Sequence, residues 1–327
     1  MRSTSFDSQL PPNPGVLGFQ RRVALPKSIQ EYTDGLDSGD GDVRAFRWVP
    51  ASDTLMALPK GDQTTTEGAS SAFGVSSDGE YMAGVIANSE GVHATRWNAA
   101  LEAVSLPNPS HTEFVALNIS GDGTTVVGVH DPAALIWKVG DPYGTDITSH
   151  GSFYLQYFLA VSGDGKIAVG IGGIWGEGDH PIWWSSDTGI VELAGTTGEA
   201  RNISSDGTVI VGQSAAVPTR WTGPGFTTRE PLPLLPNLAV APKGWINATS
   251  RDGSVSVGAS QTTDTYGEAA LWTDGRVQKI SDILTAAGAD LFGWTLDEAV
   301  GISDDGKIVL GKGRYGGRFR AWIVGLP

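Results

Sequence analysis

Short apolar runs alternate with a fixed polar turn along most of the chain. The pattern Ser-x-Asp-Gly, then an apolar run, then a glycine, has its aspartate at Asp78, Asp122, Asp164, Asp206, Asp252 and Asp305. In every copy a serine stands two residues before the aspartate. A glycine stands six residues after it: Gly84, Gly128, Gly170, Gly212, Gly258 and Gly311. A tryptophan follows that glycine by 9 to 14 residues: Trp97, Trp137, Trp184, Trp221, Trp272 and Trp322. Trp48, in Arg44-Ala45-Phe46-Arg47-Trp48, has the same neighbourhood without a clean copy ahead of it. The aspartates are 44, 42, 42, 46 and 53 residues apart. A period of about 40 to 50 residues marks a propeller or a solenoid.

Each unit reads as four short strands. An apolar run ends at the serine, and Asp-Gly makes the hairpin turn because glycine accepts the positive φ. The serine hydroxyl bonds a turn amide, which accounts for its fixed place without catalysis. The second strand is β-branched and stops at the glycine, as in Lys307-Ile308-Val309-Leu310. The third carries the tryptophan. The fourth ends at Leu or Leu-Pro, as in Ala57-Leu58-Pro59 and Ser105-Leu106-Pro107. No repeating segment has helical periodicity, so the pattern predicts an all-β chain.

The first strand has two unlike faces. Three residues before the aspartate stand Val75, Ile119, Val161, Ile203, Thr249 and Ile302. One residue earlier stand Gly74, Asn118, Ala160, Asn202, Ala248 and Gly301. Side chains alternate across a strand, so the bulky face of one sheet fits the small face of the next. That is radial packing, and it predicts a β-propeller of four-stranded antiparallel blades rather than a sandwich. Seven tryptophans point to seven blades, with six as the alternative if the last tryptophan strand is an extra edge. Residues 1–15 read as a loosely attached segment and 16–327 as one propeller domain. Val23-Ala24-Leu25-Pro26 matches the fourth-strand ending, and the last unit stops at its third strand. The N-terminal segment is therefore expected to supply that missing strand and tie the ring shut.

Composition narrows the function more than the fold. Among 327 residues, 45 glycines and 18% charged residues suit many tight turns. No cysteine is present, which removes thiolate nucleophiles, disulfides and zinc-thiolate sites. No uninterrupted apolar stretch is long enough to span a membrane. The formal charge of -14 argues against nucleic acid, which needs clustered Lys and Arg. The first fifteen residues carry no apolar signal core, so an exported form would have lost its signal. A monomer is expected.

The repeated Ile/Val-Ser-x-Asp-Gly-x-x-Val-x-Gly, an Ala-x-x-Trp strand and a Leu-Pro ending resemble the HAF-type repeats of probable extracellular bacterial proteins. The tail Gly293-Trp294-Thr295-Leu296-Asp297-Glu298-Ala299-Val300-Gly301-Ile302-Ser303-Asp304-Asp305-Gly306 is especially similar to the last repeat of such chains. The resemblance covers about residues 43–327. It implies a secreted, surface or periplasmic β-protein and carries over no catalytic residue. The unit also resembles the strand pairs of WD-type and lactonase-type propellers, but lacks the Gly-His and Trp-Asp pairs of WD repeats.

In a propeller, chemistry belongs to the loops. The turns lie on one face. The variable second-to-third-strand loops and the inter-unit loops lie on the other. The sharpest cluster there is Trp175-Gly176-Glu177-Gly178-Asp179-His180, an aromatic, two carboxylates and an imidazole framed by glycines. It suits a sugar platform, a Ca²⁺ site or an acid/base pair. Arg314-Tyr315-Gly316-Gly317-Arg318-Phe319-Arg320 suits an anionic ligand. Two functions follow. One is a binding module for a glycan or protein, with Trp175, Glu177, Asp179, Tyr266, Tyr315 and Arg318 as contacts. The other is a carbohydrate- or lactone-active hydrolase or lyase, with His93, His130 or His180 as base and Arg314 or a bound cation as electrophile. Convergence of His130, His180 and Arg314 near the axis would favour the enzyme.

Several motifs drop out. Gly311-Lys312-Gly313-Arg314-Tyr315-Gly316 fits G-x-G-x-x-G but precedes a strand, so it does not indicate a nucleotide. Nothing indicates haem. Each repeated aspartate offers one carboxylate, not the six to eight oxygens of a calcium cage.

Overall fold

The computed structural model describes residues 45–49, 54–59, 69–88, 91–106, 114–130, 132–148, 153–236, 242–261 and 267–327. Their strands form a β-propeller. Four-stranded antiparallel sheets make blades 1 to 5, at residues 69–105, 115–147, 153–192, 198–231 and 243–279. Blade 6, residues 294–325, has three strands among the described residues. Every sheet is a simple meander, so the first strand of each unit is its inner edge.

Six blades are thus described, the number held as the alternative. Beside blade 1 lies a two-stranded antiparallel sheet, Phe46–Val49 with Thr54–Ala57. It behaves as the third and fourth strands of a preceding unit, because Leu58 N–H donates to the carbonyl of Ala45. Leu106, Leu193 and Leu232 donate to Ala94, Pro181 and Pro218 in the same way. The rest of a seventh blade would fall on residues 16–43, which lie outside the described residues, as does the expected closing strand.

The turns explain their own sequence. In all six, the serine Oγ donates to the aspartate Oδ1 at 2.5–2.9 Å. That Oγ also accepts a backbone N–H from the start of the second strand, for example Thr125 N–H at 2.9 Å. The aspartate Oδ1 accepts the N–H two residues on. Burial would push the carboxyls of Asp122, Asp164 and Asp206 up, but the serine and turn bonds outweigh it and hold them low. At Asp252 the Ser254 amide is the main cause of a lowered pKa.

Blades pack through the predicted unlike faces. A Cβ on Gly74 would stand 2.9 Å from Asn118 Cα on the next blade. Ile119, Ile203 and Ile302 are buried in the seams. Trp97, Trp221 and Trp272 reach back across a seam, each Nε1 donating at 2.8 Å to a carbonyl at the end of the preceding outer strand: Pro59, Ala194 and Pro233.

Two expectations need correction. The repeat tryptophan pairs with the residue four after the aspartate, as in Val126 with Trp137 and Ile210 with Trp221. In blade 6 that place belongs to Val324, opposite Val309, while Trp322 sits opposite Gly311. Trp322 Nε1 is buried without a hydrogen-bond partner, as is Trp137 Nε1 in the standard register. The described residues also include one α-helix, Ile280–Ala286, with Ile280 and Leu284 buried one turn apart. It occupies the longest interval between turns, and its buried face packs in the same core as Trp322.

Candidate functional site

The site begins with a defect shared by all six inner strands. Each carries a register shift that leaves the residue five before the aspartate without a partner in the second strand. These residues are Phe73, Leu117, Leu159, Arg201, Asn247 and Val300. A bulge re-aims a side chain, and all six line one cavity of about 240 Å³ on the propeller axis, together with Asn118, Glu199 and Asn202. The same residues are half-buried, while those just before them in the strand are buried.

The fixed glycine is the counterpart of that bulge. A Cβ at Gly84, Gly128, Gly170, Gly212, Gly258 or Gly311 would stand 1.8–2.2 Å from the carbonyl oxygen of the residue seven before the aspartate. The glycine makes room for the displaced inner strand.

On the turn side the axis is narrowed by a belt of backbone hydrogen bonds through successive turns. Ser77 N–H donates to Gly121 O, Asp122 N–H to Gly163 O and Gly163 N–H to Ser205 O. Asp206 N–H donates to Arg251 O, and Arg251 N–H to Asp304 O. Ser205 Oγ also donates to Asp304 Oδ1 at 2.7 Å, from blade 4 to blade 6. A Cβ on Gly163 would stand 2.5 Å from Ser205 O, so at that turn the belt leaves room only for glycine. The uniform turns are architectural.

The cavity has two chemically distinct walls. Phe73, Leu117, Leu159 and Val300 are apolar. The other wall, Glu199, Arg201, Asn202 and Asn247 on blades 4 and 5, is backed by a network that reaches blade 6. Arg201 Nη1 donates to Asn247 Oδ1 at 2.8 Å, and its Nε lies 2.8 Å from Glu199 Oε2 as an ion pair, without the alignment of a hydrogen bond. Asn247 Nδ2 donates to Glu298 Oε1 at 2.7 Å, and Trp245 Nε1 donates to the same oxygen at 2.8 Å. Lys312 Nζ pairs with Glu298 Oε2 at 2.8 Å. The Arg201 guanidinium carbon lies 5.6 Å from the centre of the Trp245 ring. Burial would push the Glu298 carboxyl up, but the hydrogen bonds and charge of Lys312 and the bonds from Trp245 and Asn247 outweigh it, so it stays ionised below its usual range. Asn118 Oδ1 and Asn202 Oδ1 are buried with no hydrogen-bond partner.

The residues singled out in the sequence lie elsewhere. His180 is in the third strand of blade 3, its Nδ1 2.7 Å from Glu192 Oε1 on the outer strand. Its Nε2 is buried and 3.8 Å from Glu177 Oε2. His130 ends the second strand of blade 2, with Nδ1 3.1 Å from Asp146 Oδ1. His93 is in the third strand of blade 1, opposite Ile86. Arg314, in the second strand of blade 6, holds Asp297 through two bonds of 2.9 Å. His130, His180 and Arg314 therefore stand on three blades, each paired within its own sheet, and none lines the axial cavity. The convergence required for the enzyme as constructed is not found.

Of the ligand contacts, Trp175 and Glu177 sit at a hairpin tip, whereas Asp179 is the second residue of the third strand of blade 3. Tyr315 and Arg318 face each other across a two-glycine turn. Tyr266 lies outside the described residues. No three His, Asp or Glu side chains among the described residues are placed to hold a metal ion.

Sequence reasoning missed Glu199, Arg201, Asn247 and Glu298 because it searched the loops. The signal was present: five and seven residues before the aspartate, otherwise apolar strands carry Arg201, Asn247, Glu199 and Glu298.

No protein-family profile and no curated protein matches the chain. Its shape is similar to several solved propeller structures. One is a putative TolB from Agrobacterium tumefaciens, at 15% identity over 84% of this chain and 94% of that one, with a TM-score of 0.49. The hydrazine synthase of Kuenenia stuttgartiensis is similar at 13% identity over 94% and 98%, with a TM-score of 0.51. A prolyl endopeptidase is similar at 11% identity over 84% of this chain and 45% of its own, with a TM-score of 0.53. At such identities the likeness is one of fold. No helix among the described residues is long and apolar enough to cross a membrane.

Proposed function

We propose that the protein is a non-catalytic binding propeller that holds a small neutral polar ligand, of the size and character of a single sugar, in its axial cavity. The observation that carries this reading is the pairing of an apolar wall with a polar wall whose charges balance. Glu199 offsets Arg201, and Lys312 offsets Glu298. The site has no net charge to spend on an ion. A sugar ring has an apolar face for Phe73, Leu117 and Leu159, and hydroxyls for the Arg201 and Asn247 edge. A volume of about 240 Å³ falls below the roughly 300–1,000 Å³ of pockets for drug-sized ligands, which favours a small molecule. Glu298 supports binding over turnover: both its oxygens are engaged and it is held ionised, so it suits neither proton donor nor base near neutrality.

The resemblance to HAF-type repeats supports a place outside the cytoplasm. Blade 6 supports the expected closure. Its third strand lacks an outer partner among the described residues, and Ala321 occupies the place of Ala94, Pro181 and Pro218. Leu25 N–H would donate to Ala321 O, as the leucines of blades 1, 3 and 4 do at their positions.

The test is saturation-transfer NMR against a panel of neutral monosaccharides, with Leu117→Trp as the blocked variant. Transfer to at least one sugar that disappears in Leu117→Trp, while the variant keeps its melting temperature, is the expected result. No transfer to any of them, or transfer indifferent to Leu117→Trp, rejects the reading.

A further inference from the structure

The loop face carries large apolar side chains that the interior does not use. Trp175 is 78% exposed and Phe292 80% exposed. Trp175 stands at the tip of the second-to-third-strand hairpin of blade 3. Phe292 precedes the inner strand of blade 6, and Tyr315, 41% exposed, ends the second strand of the same blade. All three lie opposite the Asp-Gly turns, because second strands end, and inner strands begin, on that face. Isolated exposed aromatics are ordinary, and Tyr143 on the turn side is one. The other four exposed rings among the described residues, Trp175, Phe292, Tyr315 and Phe319, share the loop face, and such a grouping marks a contact surface.

The blade 6 group is built. The Tyr315 and Trp294 rings lie against each other with centroids 5.2 Å apart and planes tilted by 36°. Gly293, at φ +79°, brings its backbone against the tyrosine: a Cβ there would stand 3.2 Å from the ring. Gly316 N–H donates to Gly293 O at 3.3 Å, tying the hairpin to the entering chain. At blade 3, Gly176 and Gly178 with φ of +81° and +96° present Trp175 at the tip of a tight turn.

Blades 3 and 6 stand three places apart in the ring, so the two aromatic groups flank the axis from roughly opposite sides. The axial cavity lies between them, and the belt of turns narrows its other end. The two groups stand on separate blades, and the exposed aromatic rings among the described residues form spaced platforms rather than the continuous apolar core of a protein interface. Spaced flat rings on either side of a neutral polar cavity suit a chain of sugars.

Resting on the reading of the cavity as a sugar site, we propose that the ligand is an extended glycan. One of its sugars enters the axial cavity, and neighbouring sugars stack on Trp175 and on the Tyr315–Trp294 platform. Aromatic rings provide area and geometry at little cost in side-chain entropy.

The experiment titrates the full chain with neutral gluco-, manno-, galacto- and xylo-oligosaccharides of increasing length, linear and singly branched, in parallel with the corresponding monosaccharides. Affinity should rise with length. Trp175→Ala and Tyr315→Ala should each weaken the long ligand by about tenfold, the equivalent of about 1.4 kcal/mol, and leave monosaccharide binding unchanged. Leu117→Trp should abolish both. Equal affinity for long and single sugars, or a long ligand indifferent to Trp175→Ala and Tyr315→Ala, overturns the extended-glycan inference and leaves the cavity reading standing. Absence of binding across the whole set overturns both.

Discussion

Gly212 stands directly against the carbonyl of Glu199: a Cβ on the glycine would lie 2.0 Å from that oxygen and 3.0 Å from Arg201 N. The contact links the most regular feature of the sequence to the least regular feature of the fold. The bulge that frees Arg201 from the sheet displaces the inner strand onto its neighbour, and only glycine leaves room. Gly212→Ala should therefore cost about 1–3 kcal/mol through overpacking and weaken any ligand that contacts Arg201. Gly275→Ala, in an outer hairpin with nothing within 4 Å of the added Cβ, meets only the strain of φ +70°. Chemical denaturation of the two variants should place Gly212→Ala well below Gly275→Ala; the reverse order would refute the assignment of the glycine to the bulge.

The Ser-Asp turns make a second, separable prediction. Ser120 is fully buried, donates to Asp122 Oδ1 at 2.5 Å and accepts Thr125 N–H at 2.9 Å. Ser120→Ala strands the Thr125 amide in the interior, at a cost of about 1–3 kcal/mol. Because the turn is architectural, the variant should bind ligand normally at temperatures where it is folded. A Tm equal to that of the wild type would show that the hydroxyl is dispensable.

Acid should unfold the protein through these same groups. Asp122, Asp164, Asp206, Asp252 and Glu298 all have folded-state pKa values below their ordinary ones. A depressed carboxyl contributes stability above its unfolded pKa and loses it as pH falls through the folded one. The melting temperature should hold from neutrality to about pH 5 and fall steadily below about pH 4. Ser120→Ala should show a shallower fall, because Asp122 loses one of the bonds that lower its pKa. A profile flat down to about pH 2 would mean that these carboxyls are not linked to folding.

The repeat made the blades legible in the sequence, since turn, glycine and tryptophan recur at fixed offsets. Blade 6 shows the limit of that reading: Trp322 has the right spacing from Gly311 but the wrong register, because hairpin length sets the pairing and spacing alone does not. The site was hidden for a different reason. Alternation treats a strand as two faces, and a bulge adds a third direction that no period-two pattern contains. Arg201 and Asn247 read as polar residues inside a strand, while the glycine that exposes them read as the end of another. His180 misled in the opposite sense, a polar cluster in the sequence whose imidazole is tied to Glu192 away from the axis.

Closure of the ring gives the last prediction. In blades 1, 3 and 4 a leucine of the outer strand donates its N–H to the third strand, and Leu106, Leu193 and Leu232 are buried there. The outer side of blade 6 has no such strand among the described residues, and its third strand begins with exposed Arg318, Phe319, Arg320 and Ala321. Val23-Ala24-Leu25-Pro26 carries the same ending as Met56-Ala57-Leu58-Pro59 and Val104-Ser105-Leu106-Pro107. Removing residues 1–26 should expose an unpaired sheet edge, lowering the melting temperature and promoting association between molecules. The point variant Leu25→Asp should lower it by a smaller amount in the same direction, since the proposed closing strand would carry a charge where blades 1, 3 and 4 carry a buried leucine. Scanning calorimetry and light scattering on both would decide the matter, and a truncated protein that melts with the full chain would remove residues 1–26 from the ring.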